Sequence, residues 1–117
     1  MKENILIEKS LSFAADIVKL YSFLTNEKKE SVISKQIIRS ATSIGANINE
    51  ANYGVSRADF IVKMQIALKE TAETEYWLKL LQLSEYISEE KAQLLINECL
   101  GIKRMLISSL NTAKSNK

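Results

Sequence analysis

Between Phe60 and Leu81 the apolar and small positions recur at alternating spacings of four and three: Phe60, Met64, Ala67, Thr71, Thr74, Leu78 and Leu81. That rhythm is the seam of a helix packed in a bundle. At about 100° per residue, Val62, Ile66, Trp77, Leu80 and Leu83 fall on the opposite side of the same helix. A surface helix in a monomer needs one apolar stripe, and this one has two. Either the helix is central in a larger domain or its back face meets another subunit. A chain of 117 residues leaves little room for a central helix, which favours the subunit interface.

The helix before it is patterned differently. Ile37, Ala41, Ile44, Ile48 and Ala51 form a seam, and Gln36, Arg39, Ser43, Ala46, Asn47 and Glu50 form the opposing face. That face is polar but short-chained, whereas a freely solvated one carries more long charged residues. Gly45 sits mid-helix at a cost of about 1 kcal/mol relative to Ala, which close approach of another backbone would offset.

Two further helices flank this pair. The first is expected from Asn4 to Leu24, with Leu6, Phe13, Ile17, Leu20 and Leu24 on one stripe. Ile7, Leu11, Ala14, Val18 and Tyr21 lie beside it and widen the apolar face. The last helix carries the seam Ala92, Leu95, Cys99, Ile102 and Leu106 and is expected to reach Ala113. The local punctuation agrees: Ser31 is placed to cap the second helix, which runs to about Tyr53, and Gly54 to close it. Ser56 opens the third, with Asp59 three residues on, and that helix runs to about Glu85. Ser88 opens the fourth, with Glu89 and Glu90 in its positive first turn. Short connections make neighbouring helices antiparallel. The expected fold is therefore an all-α, antiparallel up-down-up-down four-helix bundle, one domain over residues 1–117.

Composition sharpens this picture. There is no proline and there are three glycines, which suits helices and argues against a turn-rich β fold. There is also no histidine. Its absence excludes Ser-His-Asp and Cys-His catalysis, the usual zinc sites and the Glu-x-x-His di-iron site of helical bundles. No glycine-rich phosphate loop precedes a helix. Glu50, Glu70 and Glu73 are the carboxylates to examine as a site, yet Lys69 with Glu73 and Glu75 with Lys79 have the spacing of ordinary ion pairs. No enzyme, metal or cofactor is expected. Cys99, the single cysteine, lies on the fourth seam and reads as a buried, inert thiol in a reduced, cytoplasmic protein. The N-terminal MKENILIEK is too quickly interrupted for a signal peptide, and no membrane association is expected.

Taken together, IIRSATSIGANINEA and DFIVKMQIALKETAETEYWLKLL resemble the bacterial four-helix-bundle family of 23S rRNA intervening-sequence proteins. The set that carries the likeness is Arg39, the Ser-Ile-Gly-Ala-Asn run at 43–47, Glu50, Lys69, Glu70, Glu73, Thr74, Tyr76, Trp77 and Leu78. Members are encoded in inserts of some bacterial 23S rRNA genes and more widely in bacterial genomes. The resemblance implies an up-and-down bundle that assembles into ring-like homopentamers. A similar fold serves diversity-generating retroelements as an accessory protein that binds reverse transcriptase and nucleic acid.

Two functions follow as expectations. In the first, a homo-oligomer associates with RNA or DNA through basic patches. The run from Cys99 to Lys117 contains no acid and carries Lys103, Arg104, Lys114 and Lys117, although cations near a helix C-terminus also satisfy the macrodipole. In the second, the protein is an adaptor or scaffold for a partner enzyme such as a reverse transcriptase. The expected interface comprises Arg39, Ser43, Ala46, Glu50, Val62, Ile66, Glu70, Glu73, Trp77 and Leu80. Arg39 is expected level with Glu70, paired either with it or with an acid of a neighbouring subunit.

Overall fold

The computed structural model describes residues 2–115, with side chains from residue 5 onward. It consists of four helices: α1 (Lys2–Asn26), α2 (Val32–Asn52), α3 (Arg57–Leu83) and α4 (Glu89–Ser115). Each helix packs on its chain neighbours and α1 closes on α4; among the described residues the backbones do not approach closely across either diagonal. The result is a four-helix bundle measuring 49 × 21 × 20 Å.

The four seams meet in one core. Phe13 and Ile17 of α1, Ile44 and Ile48 of α2, Met64 and Leu78 of α3, and Leu95 and Ile102 of α4 are all fully buried. The polar groups among them are satisfied locally. The Ser40 and Thr74 hydroxyls lie 2.8 Å apart across the α2–α3 seam, and Thr74 donates onward to the Glu70 carbonyl oxygen at 2.8 Å. At Gly45 a Cβ would sit 3.4 Å from Ser10 Oγ and 3.7 Å from the Ser10 carbonyl oxygen. That is ordinary van der Waals contact with α1, so packing within the chain does not require a glycine there.

The apolar face of α1 is narrower than its sequence suggests. Leu11 is 70% exposed and Val18 48%. Ile7, Ala14 and Tyr21 of the flanking stripe are half-buried, so it is Leu11 and Val18, farther round the helix from the core, that face solvent.

The helix ends both follow and depart from the local signals. Ser56 Oγ accepts from the Asp59 N–H at 3.1 Å, and Ser88 Oγ from the Lys91 N–H at 3.0 Å. Ser31, in contrast, makes no side-chain cap, because its ψ of −6° is far from the extended backbone a capping side chain needs. The buried Glu30 carboxylate takes over, accepting from the N–H groups of Val32, Ile33 and Ser34 at 3.0, 2.8 and 2.8 Å. Gly54 has no left-handed backbone; the C-cap residue of α2 is Tyr53. Gly54 is there for space, since a Cβ would meet Ala51 O and Asp59 Cβ, each at 3.2 Å. The left-handed residues are instead Lys29 and Glu85, with φ of 56° and 64°. Because Glu85 turns the chain, α3 stops at Leu83 rather than at Glu85.

Candidate functional site

The α2–α3 hairpin gathers a polar cluster around Arg39. Arg39 Nη1 lies 3.5 Å from Glu70 Oε2, and Nη2 bonds Glu73 Oε2. Glu73 Oε2 also accepts from the Trp77 indole N–H at 3.2 Å, one turn along α3. The hydrogen bond to Glu73, joined by the charges of both carboxylates, raises the Arg39 pKa above its ordinary value. Glu70 is reached as its register with Arg39 suggests, whereas Glu73 turns to Arg39 and Trp77 instead of Lys69. Glu70 Oε1 is buried and has no hydrogen-bond partner among the described residues.

Apolar and polar side chains alternate around this cluster. Val62 is 52% exposed and Ile66 37%, while Leu80 is half-buried. From α2 come exposed Ala46 and half-buried Ser43, whose hydroxyl accepts from the Asn47 amide at 3.0 Å. Glu50 closes the far end through a 2.9 Å bridge to Lys63. Trp77 departs from its expected place on the outer side of α3. It is half-buried, packs against the core and meets Tyr76 edge-on at 5.0 Å. Its indole N–H needs a partner when the ring is covered, and Glu73 supplies one.

The basic residues of α4 divide into two kinds. Lys103 is drawn 3.7 Å from Glu75, which is also bridged by Lys79 at 2.9 Å. The Lys79 hydrogen bond, with both lysine charges, holds the Glu75 carboxyl below its usual range. Arg104 and Lys114 are exposed, and Lys117 lies outside the described residues. One turn below Lys103, Cys99 donates its thiol to the Thr71 carbonyl oxygen at 3.4 Å. Burial, then the Glu75 charge, pushes that thiol up to about 12, so it stays protonated at neutral pH and is a poor nucleophile.

Two features were not visible in the sequence. Asp16 of α1 and Glu98 of α4 face one another across the seam that closes the bundle, and burial followed by Asp16 raises the Glu98 pKa. At the end where α1 and α3 finish, a cleft opens beside Phe23 and Tyr86. Among the described residues, no group of three or more acids and cysteines is placed to hold a metal ion. No described helix is long and apolar enough to cross a membrane.

A sequence model of the family described as 23S rRNA-intervening sequence protein matches residues 2–108. The chain belongs to this family. The 23S rRNA-intervening sequence protein match thus takes in α1, α2, α3 and most of α4. A solved structure is similar throughout: the crystal structure of a protein of unknown function from the S23 ribosomal protein family of Bacteroides thetaiotaomicron. It is 57% identical, covers 95% of this chain and 99% of its own, and superposes with a TM-score of 0.94. No curated protein matches the chain.

Proposed function

We propose that this intervening-sequence protein is a non-catalytic assembly protein. In this reading it is an up-down-up-down bundle that self-associates through the α2–α3 face and presents exposed cations to RNA or DNA. The observation that carries self-association is the face itself. Val62 and Ile66 are solvent-exposed apolar residues, set beside a short-chained α2 surface over which a neighbouring helix can pack closely. Exposed apolar side chains grouped on one face are a feature of interaction sites. The family resemblance supplies the number five and the ring.

Nucleic-acid association rests on Arg104 and Lys114, which are exposed on α4 and take part in no salt bridge among the described residues. Lys103 contributes less, being partly neutralised by Glu75. Two cations per chain bind weakly alone, but a ring repeats them and raises the effective concentration of each further contact. Contacts of Lys and Arg to phosphate position without specifying sequence. Affinity should therefore fall with salt at a log–log slope of about −0.9 per neutralised phosphate on duplex DNA and about −0.7 on single strands.

The deciding experiment is a salt titration against mixed-sequence RNA and DNA, with Arg104→Glu/Lys114→Glu alongside the parent chain. Binding lost in the variant supports the reading, and no binding at low salt overturns it. A second reading, an adaptor for a partner protein, is favoured by the hairpin tip, where Tyr53 is 84% and Val55 93% exposed. Retained self-association without nucleic-acid binding would select it.

A further inference from the structure

The bundle end formed by the C-termini of α1 and α3 and the start of α4 is hollowed into a cleft of about 830 Å³. That volume lies within the roughly 300–1,000 Å³ typical of small-molecule sites. Buried Leu20 and Ile87 floor it, and Phe23 and Tyr86 add aromatic surface. Phe23 keeps 41% of its surface open to solvent.

Three ammonium groups border the cleft, each from a different segment: Lys19 of α1, Lys28 of the α1–α2 connection and Lys91 of the first turns of α4. None takes part in a salt bridge among the described residues. Lys28 Nζ instead stands 5.7 Å from the centroid of the Phe23 ring, and Lys91 also feels Glu98 on its own helix. Glu85 and Glu89 share the rim; three cations against two carboxylates leave it positive. Both left-handed non-glycine residues, Lys29 and Glu85, are at this end. Strain of that kind gathers at ligand clamps. Here it keeps a side chain on the cleft wall at 85 and sets the turn that follows Lys28.

We propose that this cleft binds a nucleotide, with the phosphate between Lys28 and Lys91 and the base against Phe23 and Tyr86. Lysine serves phosphate as a point charge, and aromatic stacking accepts any base because every base has a π-face. A phosphate drawn to Lys28 brings the base it carries near Phe23, since Lys28 Nζ already stands over that ring. Ser88 Oγ accepts from the Lys91 N–H at 3.0 Å and keeps its own proton to donate, so it joins Gln82 and the Tyr86 hydroxyl among the polar groups of the lining. The site is independent of the basic end of α4, because Lys114 lies about 35 Å farther along that helix at ~1.5 Å per residue. Its chemistry is shared by a free nucleotide and by an unpaired nucleotide within a strand.

The test is a titration of the full chain with adenosine 5′-monophosphate, inorganic phosphate and a short single-stranded oligoadenylate, followed by amide NMR shifts and calorimetry. Saturable shifts confined to the end of α1, Lys28–Lys29 and Tyr86–Lys91 are expected with the mononucleotide. Lys28→Ala/Lys91→Ala should weaken it at least about tenfold, the scale of losing charge-assisted contacts. Phe23→Leu should weaken the mononucleotide while leaving inorganic phosphate unchanged. Tighter binding of the oligoadenylate identifies a strand as the source, and binding no tighter than the mononucleotide identifies the free nucleotide. The proposal falls if shifts are absent or scattered, or if phosphate alone binds as well as the nucleotide. It also falls if the double lysine variant, with a melting temperature like the parent's, binds undiminished.

Discussion

The hydroxyls of Ser40 and Thr74 meet at 2.8 Å in the buried seam between α2 and α3. Thr74 donates its proton to the Glu70 carbonyl oxygen at 2.8 Å, so Ser40 is the donor between the two. Thr74→Val removes the acceptor and leaves Ser40 only the 3.3 Å contact to the Ile37 carbonyl oxygen. The expected cost is about 1 kcal/mol. Ser40→Ala/Thr74→Val, with both partners apolar, should cost less than the two single changes summed. A double-mutant cycle by denaturant unfolding measures the coupling.

Glu30 rather than Ser31 holds the start of α2, and the two are easily separated. Glu30→Ala exposes three N–H groups that its carboxylate now satisfies, and should destabilise by about 2 kcal/mol. Ser31→Ala removes no cap hydrogen bond and should lie within about 0.5 kcal/mol of the parent. Equal losses in thermal unfolding would show that Ser31 caps in solution after all.

Glu85 closes α3 with a paired turn: its N–H bonds Gln82 O at 3.0 Å, and the Tyr86 N–H bonds Leu81 O at 2.9 Å. This geometry favours glycine, yet Glu85 carries a side chain at φ 64°. Glu85→Gly relieves about 1 kcal/mol of left-handed strain, partly offset by the added freedom of glycine in the unfolded chain. A gain of about 0.5 kcal/mol in unfolding free energy is the expected outcome.

The helices and their seams could be read from the chain because a 3.6-residue period is a local property. The Ser56 and Ser88 caps were legible for the same reason, each bond spanning three residues. The Glu30 cap was hidden because it depends on Lys29 turning left-handed, and lysine does not announce that conformation. Gly54 misled in the opposite direction, since its value is the room between Ala51 and Asp59. At the site, the short hairpin made the Arg39–Glu70 pairing legible. A helical wheel gives an angle and no rotamer, so the turn of Trp77 onto Glu73 was not. Asp16 with Glu98, and the cleft at the bundle end, join segments far apart in sequence whose register no single turn sets.

Two carboxyls should respond to pH with opposite sign. The Glu98 pKa is raised in the folded protein by burial and then by Asp16. Its favourable contribution is complete below the unfolded glutamate pKa of about 4.3 and is lost as pH rises through the raised value. Glu98→Gln should therefore raise the melting temperature at pH 7 and flatten the mildly acidic limb of the stability profile. The Glu75 pKa is lowered by Lys79 and then, by charge, also by Lys103. Its contribution is present above the unfolded value and lost as pH falls through the folded one, so Glu75→Gln should destabilise at pH 7 and not at pH 3. Solvent screening keeps each effect below about 1 kcal/mol, and melting curves of both variants across that range check the signs.

Self-association through the α2–α3 face needs a substitution that spares the fold. Trp77→Glu is a poor choice, because Trp77 packs on the core and donates to Glu73; its loss would unfold the hairpin and dissolve any assembly at once. Val62 is better placed: it is 52% exposed and sits one position before the lysine that bridges to Glu50. In an isolated chain Val62→Glu at such a surface position changes stability by no more than about 0.5 kcal/mol. Buried between subunits, the same carboxylate would be an unpaired charge costing several kcal/mol. Light scattering should therefore report a mass above 13.2 kDa for the parent chain and a shift toward the monomer for Val62→Glu, with helical circular dichroism unchanged. A parent chain that is monomeric at micromolar concentration would overturn the assembly reading. An oligomer that Val62→Glu leaves intact would move the interface elsewhere, and the exposed stripe of Leu11 and Val18 on α1 would be the next to test.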